Sequence, residues 1–230
     1  VVLMKNQNNT LPFEGVKSIS VFGKAAEDPF YAGGGSGTAE GYYPDEMYTS
    51  IYQSLEAAGY SVNPALRSFY EKEASMEALN GEGFSYTIGE DGSAVSTGNR
   101  ASISDVDPVD FTGTVLDSYD RYSDAAIIVI GRTGSEGGDK DMGRSREAFI
   151  SEELNILASS GATEEELEAR RTALENALDN DPEFAADALR HGLTLTYEEE
   201  QLIKHVTANF DKVVVVLNSP EQIELGWVED

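Results

Sequence analysis

Residues 125–141 read A-A-I-I-V-I-G-R-T-G-S-E-G-G-D-K-D, and the fold is decided by this stretch. Its first six residues are small, aliphatic or β-branched without a polar break, the pattern of a strand covered on both faces rather than one. Such a strand belongs at the centre of a sheet. Four glycines follow within eight residues, Gly131, Gly134, Gly137 and Gly138, with Arg132, Glu136, Asp139 and Lys140 among them. A glycine-rich turn carrying a carboxylate thus leaves the carboxyl end of a buried strand, where open α/β sheets form their ligand crevices.

Working outward, residues 213–217, V-V-V-V-L, form a second unbroken apolar run, and Asn218, Ser219 and Pro220 end it. Between the two runs lies L-T-L-T-Y-E-E-E-Q-L-I-K-H-V-T-A-N-F at 193–210, in which Leu202, Ile203 and Val206 make one apolar stripe. Thr196 and Glu199 have the spacing of a helix-capping box. A strand, a crossover helix and a second strand predict parallel pairing. Residues 18–23, S-I-S-V-F-G, supply a further core strand.

Met47, Ile51, Leu55 and Ala58 recur along one face and predict a helix over 44–58, stopped by Gly59, with a short strand at 60–62. Residues 63–122 are irregular in pattern; a helix over 66–79, a glycine-rich excursion and an acidic approach to the central strand are expected there. Residues 145–189 are rich in helix formers. Thr163 and Glu166 form a capping box ahead of Leu167, Arg171, Leu174 and Leu178, which predicts an inserted helical hairpin within 143–190. Its acidic face reads as solvated, with a lid or a homodimer contact as alternatives. The whole chain, 1–230, reads as a single α/β domain, a three-layer α/β/α sandwich around a mostly parallel sheet.

Composition narrows the function. A formal charge of −26 and an isoelectric point near 4.2 exclude a nucleic-acid surface, which requires clustered Lys and Arg, and disfavour anionic membranes. There is no cysteine, so no disulfide framework exists and redox chemistry does not indicate the compartment. No stretch has the length of a membrane span, and V-V-L-M-K-N-Q-N-N-T lacks the order of a signal peptide; any export signal would lie outside this sequence. The two histidines, His191 and His205, have no metal-ligand spacing. The G-G-G-S-G of Gly33, Gly34, Gly35, Ser36 and Gly37 lies too far beyond Gly23 for a dinucleotide fingerprint and lacks the lysine of a phosphate-binding loop.

Several of these segments together resemble the second, C-terminal-type domain of glycoside hydrolase family 3, the β-glucosidases and β-xylosidases. Residues 132–140, R-T-G-S-E-G-G-D-K, resemble the family's R-x-S-G-E-G-x-D-R, with the Ser and Gly before the glutamate exchanged and Lys140 in place of the last Arg. Residues 1–13, V-V-L-M-K-N-Q-N-N-T-L-P-F, resemble its V-L-L-K-N-x-x-x-x-L-P-L opening; on pattern alone they read as a short apolar strand or turn and a polar loop closed by Pro12. Residues 33–37 match its G-G-G-S-G, 193–206 resemble its L-x-L-x-x-x-Q-x-x-L-I-x-x-V, and 214–218 match its V-V-V-L-N.

The resemblance implies that Glu136 is the general acid/base of a retaining β-glycosidase and that the nucleophilic aspartate lies on a separate (β/α)8 barrel. Gly33, Gly34, Gly35, Ser36, Gly37, Arg132, Asp139 and Lys140 would be substrate-binding or site-adjacent. It further implies oligo- or aryl β-glycoside substrates, cleavage of terminal β-linked sugars, and no metal or organic cofactor. The chemistry needs such a group: a carboxylic acid protonates the departing glycosidic oxygen, then as carboxylate takes a proton from water. The alternative is a non-catalytic structural or carbohydrate-binding domain of such an enzyme.

Overall fold

The computed structural model describes residues 1–27, 29–31, 49–73, 86–88, 94–96, 105–132, 143, 145–159, 161–219 and 222–228. The contacts divide the chain into two compact units, one of residues 1–138 and 198–222, the other of 139–197 and 223–230.

Among the described residues the first unit is built on four parallel strands: β1 (Ser18–Phe22), β2 (Ser61–Val62), β5 (Ala125–Gly131) and β6 (Val213–Asn218), in the order β2-β1-β5-β6. Two short strands, β3 (Tyr86–Ile88) and β4 (Ala94–Ser96), pair antiparallel in a separate ribbon within the irregular region. All seven residues of β5 are buried, as the unbroken apolar run requires of a strand between two neighbours. β6 was expected to be equally buried but is only half-buried along its length. Among the described residues it stands at the end of the sheet, with one hydrogen-bonded neighbour instead of two.

The period-two alternation of the strands divides two cores. On one face Ile19, Val21, Ala125, Ile127 and Val129 pack with Tyr52 of α1 (Ile51–Ala57). On the other, Phe22 meets the rings of Phe111, Tyr119 and Phe210 at centroid distances of 6.1, 5.8 and 5.7 Å. Phe111 also stacks edge-on against Phe69 of α2 (Pro64–Glu73), at 5.3 Å. Helices α3 (Gly113–Ser118) and α7 (Tyr197–Asn209) bury Val115, Leu202 and Val206. This is an α/β sandwich.

The boundaries differ from expectation where a cap outranks periodicity. Helix α1 starts at Ile51: the Ser50 side chain accepts from Gln53 N while the Gln53 side chain accepts from Ser50 N, a reciprocal cap that sets the start. The expected residues 44–48 lie outside the described set. Helix α2 begins at Pro64 rather than 66, because Asn63 Oδ1 caps Ala65 N at 3.0 Å. Residues 1–4 form no strand; Val1, Val2, Leu3 and Met4 are exposed. The region 63–122 is irregular in sequence yet contributes Leu66, Tyr70, Val106, Phe111, Val115 and Tyr119 to the buried set.

The second unit is helical. The expected hairpin is α4 (Arg146–Ser159) and α5 (Glu164–Asn180), and α6 (Pro182–Leu189) follows it. The Thr163–Glu166 capping box is present. Phe149, Ile150, Leu174, Leu178 and Ala188 form this unit's own small core. No helix among the described residues is long and apolar enough to cross a membrane.

Candidate functional site

The carboxyl edge of the sheet is shaped by two glycines. Gly23, just after β1, has φ +101°, and a Cβ there would lie 2.2 Å from the Val129 carbonyl oxygen, so only glycine lets the chain turn this close to β5. Gly131 ends β5; a Cβ there would lie 2.7 Å from both Ala25 Cβ and the Phe30 ring. The absent side chain is what lets the segment after β1 lie across the end of β5.

Arg132 follows directly and is 2% exposed. Its backbone N–H continues the ladder, donating to Asn218 O at 2.9 Å. Its guanidinium turns back: Nη1 donates to Gly131 O at 2.8 Å and to Glu199 Oε1, and Nη2 donates to Glu199 Oε2 at 2.5 Å. Glu199, on the first turn of α7, is 1% exposed. A fork-to-fork pair of this kind fixes a guanidinium plane in a way that lysine cannot. The root of the 132–140 segment is therefore tied both to β6 and to α7.

Two further polar groups are buried near this edge. Asp105 Oδ1 accepts from Val106 N at 2.7 Å, and burial raises its carboxyl group to about 7, with Glu199 adding to the rise and Lys24 opposing it. Asn63 bridges β1 and α3, donating to Ser20 Oγ at 3.1 Å and to Ser118 Oγ at 2.8 Å. At the end of β6, the Asn218 side chain engages Phe30: Oδ1 accepts from Phe30 N at 2.5 Å and Nδ2 donates to Phe30 O at 3.0 Å.

Of the residues singled out from sequence, Arg132 stands at the carboxyl end of the central strand, with its guanidinium paired to Glu199. Glu136, Asp139, Lys140, Gly33, Gly34, Gly35, Ser36 and Gly37 lie outside the described residues. Sequence reasoning missed Glu199 as a counter-ion, because its spacing from Thr196 suited a cap. It also missed Asn218, which read as no more than the residue closing an apolar run. One signal was available: Glu199 falls where the L-x-L-x-x-x-Q pattern has glutamine, so an acid there invited a search for a partner.

Elsewhere in the unit, an open concavity of about 430 Å³ is lined by Asp107, Pro108, Val109, Gln201, Lys204 and His205, none of which takes part in the contacts above. The His205 ring is hydrogen-bonded to the Tyr119 hydroxyl at 3.1 Å, and burial lowers its pKa, favouring the neutral imidazole. Among the described residues no group of three or more acidic or histidine side chains could hold a metal ion.

Comparison with known proteins agrees with this architecture. β-Glucosidase A of Butyrivibrio fibrisolvens is 25% identical over 228 residues, 99% of this chain but 22% of its own length. A probable β-glucosidase I of Emericella nidulans is 49% identical over 43 residues, 19% of this chain and 5% of its own. The matched stretch is 22% of the first relative's length and 5% of the second's. Among solved structures, a β-glucosidase from Paenibacillus barengoltzii superposes with a TM-score of 0.58 at 22% identity, over 100% of this chain and 18% of that one. β-Glucosidase 3B of Thermotoga neapolitana in complex with glucose gives 0.55 at 19% identity, over 99% of this chain and 24% of that one. At these identities the likeness is one of fold. The model of the glycosyl hydrolase family 3 C-terminal domain matches residues 1–230, the full length read here, and the chain belongs to that family.

Proposed function

We propose that this domain supplies the acid/base glutamate, Glu136, to a retaining β-glycosidase whose nucleophilic aspartate sits on a (β/α)8 barrel of the same enzyme. The observation that carries the reading is the pinned strand end. Gly131 and Arg132 stop at the carboxyl edge of the central strand, held by β6 and by Glu199, and Glu136 follows four residues later. A catalytic group on a short tether from a rigid strand end has the restricted range of positions that proton transfer at hydrogen-bond distance needs. Family membership adds its weight, since β-glucosidases of several species are its relatives.

In this reading the barrel aspartate attacks the anomeric carbon while the Glu136 carboxyl protonates the leaving oxygen. The carboxylate then takes a proton from the water that releases the sugar. Substrates are β-glucosides or related β-linked sugars. The chain without a barrel would hold half of the reacting groups and would not turn over aryl β-glycosides.

The test is Glu136→Gln in the enzyme carrying both domains. Natural disaccharides, which need protonation, should lose on the order of 100- to 10,000-fold in kcat/KM. Aryl glycosides with good leaving groups should lose much less, and azide should restore release of the sugar as a β-glycosyl azide. Equal losses for both substrates with no azide effect would refute the assignment and favour a structural or carbohydrate-binding domain.

A further inference from the structure

The two segments singled out as candidate site loops start from neighbouring points. One leaves from Phe30, three residues before Gly33; the other leaves from Arg132, four residues before Glu136. Asn218 touches both starting points. Asn218 accepts the Arg132 N–H on its backbone oxygen at 2.9 Å, in register with Gly131 across the β5–β6 ladder. With its side chain it brackets the Phe30 backbone, taking the N–H at 2.5 Å and giving to the carbonyl at 3.0 Å.

The side-chain amide therefore does for Phe30 what an adjacent strand would do, satisfying one donor and one acceptor of the same residue. The Phe30 ring in turn fills the space that Gly131 leaves by having no Cβ. Backbone pairing, an amide clamp and ring packing hold three chain segments in one arrangement.

We propose that Asn218 is a positioning residue, setting the spacing between the root of the glycine segment 33–37 and the root of the Glu136 segment. This rests on the reading of Glu136 given above. In sequence, Gly33 is three residues from Phe30 and Glu136 is four from Arg132, so both tethers are short. With tethers this short, a displacement of either root reaches the residues it carries.

Among common side chains asparagine alone fits this clamp. Aspartate has the same shape but sets an oxygen against the Phe30 carbonyl, and alanine loses both bonds. Neither change disturbs the Arg132 N–H to residue 218 O bond.

The experiment uses the enzyme carrying both domains, with Asn218→Asp and Asn218→Ala. Hydrogen exchange of the peptide containing Phe30 reads the clamp directly, and protection of that amide should be lost in both variants. Assayed well below the unfolding midpoint and normalised to folded protein, kcat/KM should fall about 10- to 100-fold, the range expected for a misplacement near 1 Å. The loss should include a raised KM, for aryl glycosides and disaccharides alike, beside any fall in kcat. That pattern differs from the leaving-group dependence and azide response of Glu136→Gln, so each assignment stands or falls separately. Exchange at Phe30 that is unchanged would show that no clamp exists. Lost protection and a lower melting midpoint with kcat/KM within twofold of wild type would make Asn218 structural only, and would overturn the proposal even if Glu136 behaves as the acid/base.

Discussion

Removing the carboxylate of Glu199 should be among the most damaging single changes in this domain. Arg132 and Glu199 are 2% and 1% exposed, and the two guanidinium nitrogens meet the two carboxylate oxygens. Breaking a buried ion pair by deleting one partner typically costs about 3–5 kcal/mol. Total stabilities run to about 5–15 kcal/mol, so Glu199→Ala would remove roughly a fifth or more of what a typical domain has. For a chain of this length 1 kcal/mol shifts the melting midpoint by about 2–4 °C, which predicts a fall of roughly 6–20 °C. Urea unfolding of wild type, Glu199→Ala, Arg132→Met and the double variant forms a cycle that isolates the pair. The double variant removes both members of the pair and should cost less than the sum of the two singles by at least about 2 kcal/mol. Additive single effects, or a Glu199→Ala cost below about 1 kcal/mol, would mean that the pair is solvated, and the account of a pinned strand end would fail.

Asp105 should make stability fall as pH rises. Its folded pKa of about 7 lies above the unfolded value near 3.9, so the native state keeps a proton that the unfolded chain has lost; the benefit is whole below about pH 4 and gone above about pH 7. Three pKa units correspond to about 4 kcal/mol, so the stability difference between wild type and Asp105→Asn, followed by urea unfolding from pH 4.5 to 8, should drift by an amount of that order. A difference independent of pH would refute it. The two glycines at the sheet edge should differ in severity. Gly131→Ala meets the Ala25 Cβ and the Phe30 ring and should cost about 1–3 kcal/mol, whereas Gly23→Ala meets a backbone carbonyl at positive φ and should cost more than about 3 kcal/mol. Thermal melts of the two variants would reverse in order if the close approach were wrongly described.

What the sequence determined by itself was whatever depends on neighbours along the chain. The unbroken run at 125–130 could only be a central strand, because no exposed face is available to an all-apolar stretch, and β5 is buried throughout. The alternation of Ile19 and Val21 with Ser20 and Phe22, the stripe of α7 and the Thr163–Glu166 box were equally legible. The ordered motifs carried the family. Helix starts were misjudged by periodicity, since Ser50 and Asn63 end the preceding extended chain through hydrogen bonds that an apolar count ignores.

The tertiary structure decided the partners of polar residues. Glu199 sits 67 positions from Arg132 and Asn218 sits 188 from Phe30, separations at which spacing rules say nothing. Glutamate near a helix start caps or pairs according to what the fold brings to it, and asparagine at a strand end is unremarkable until another segment's backbone arrives. Burial of Asp105 likewise follows from the layers closing over it, within a region whose sequence shows no period. Hydrophobic pattern is a one-dimensional property, set by the period of the backbone. Desolvation and hydrogen-bond complementarity exist only between surfaces, and so had to wait for the fold.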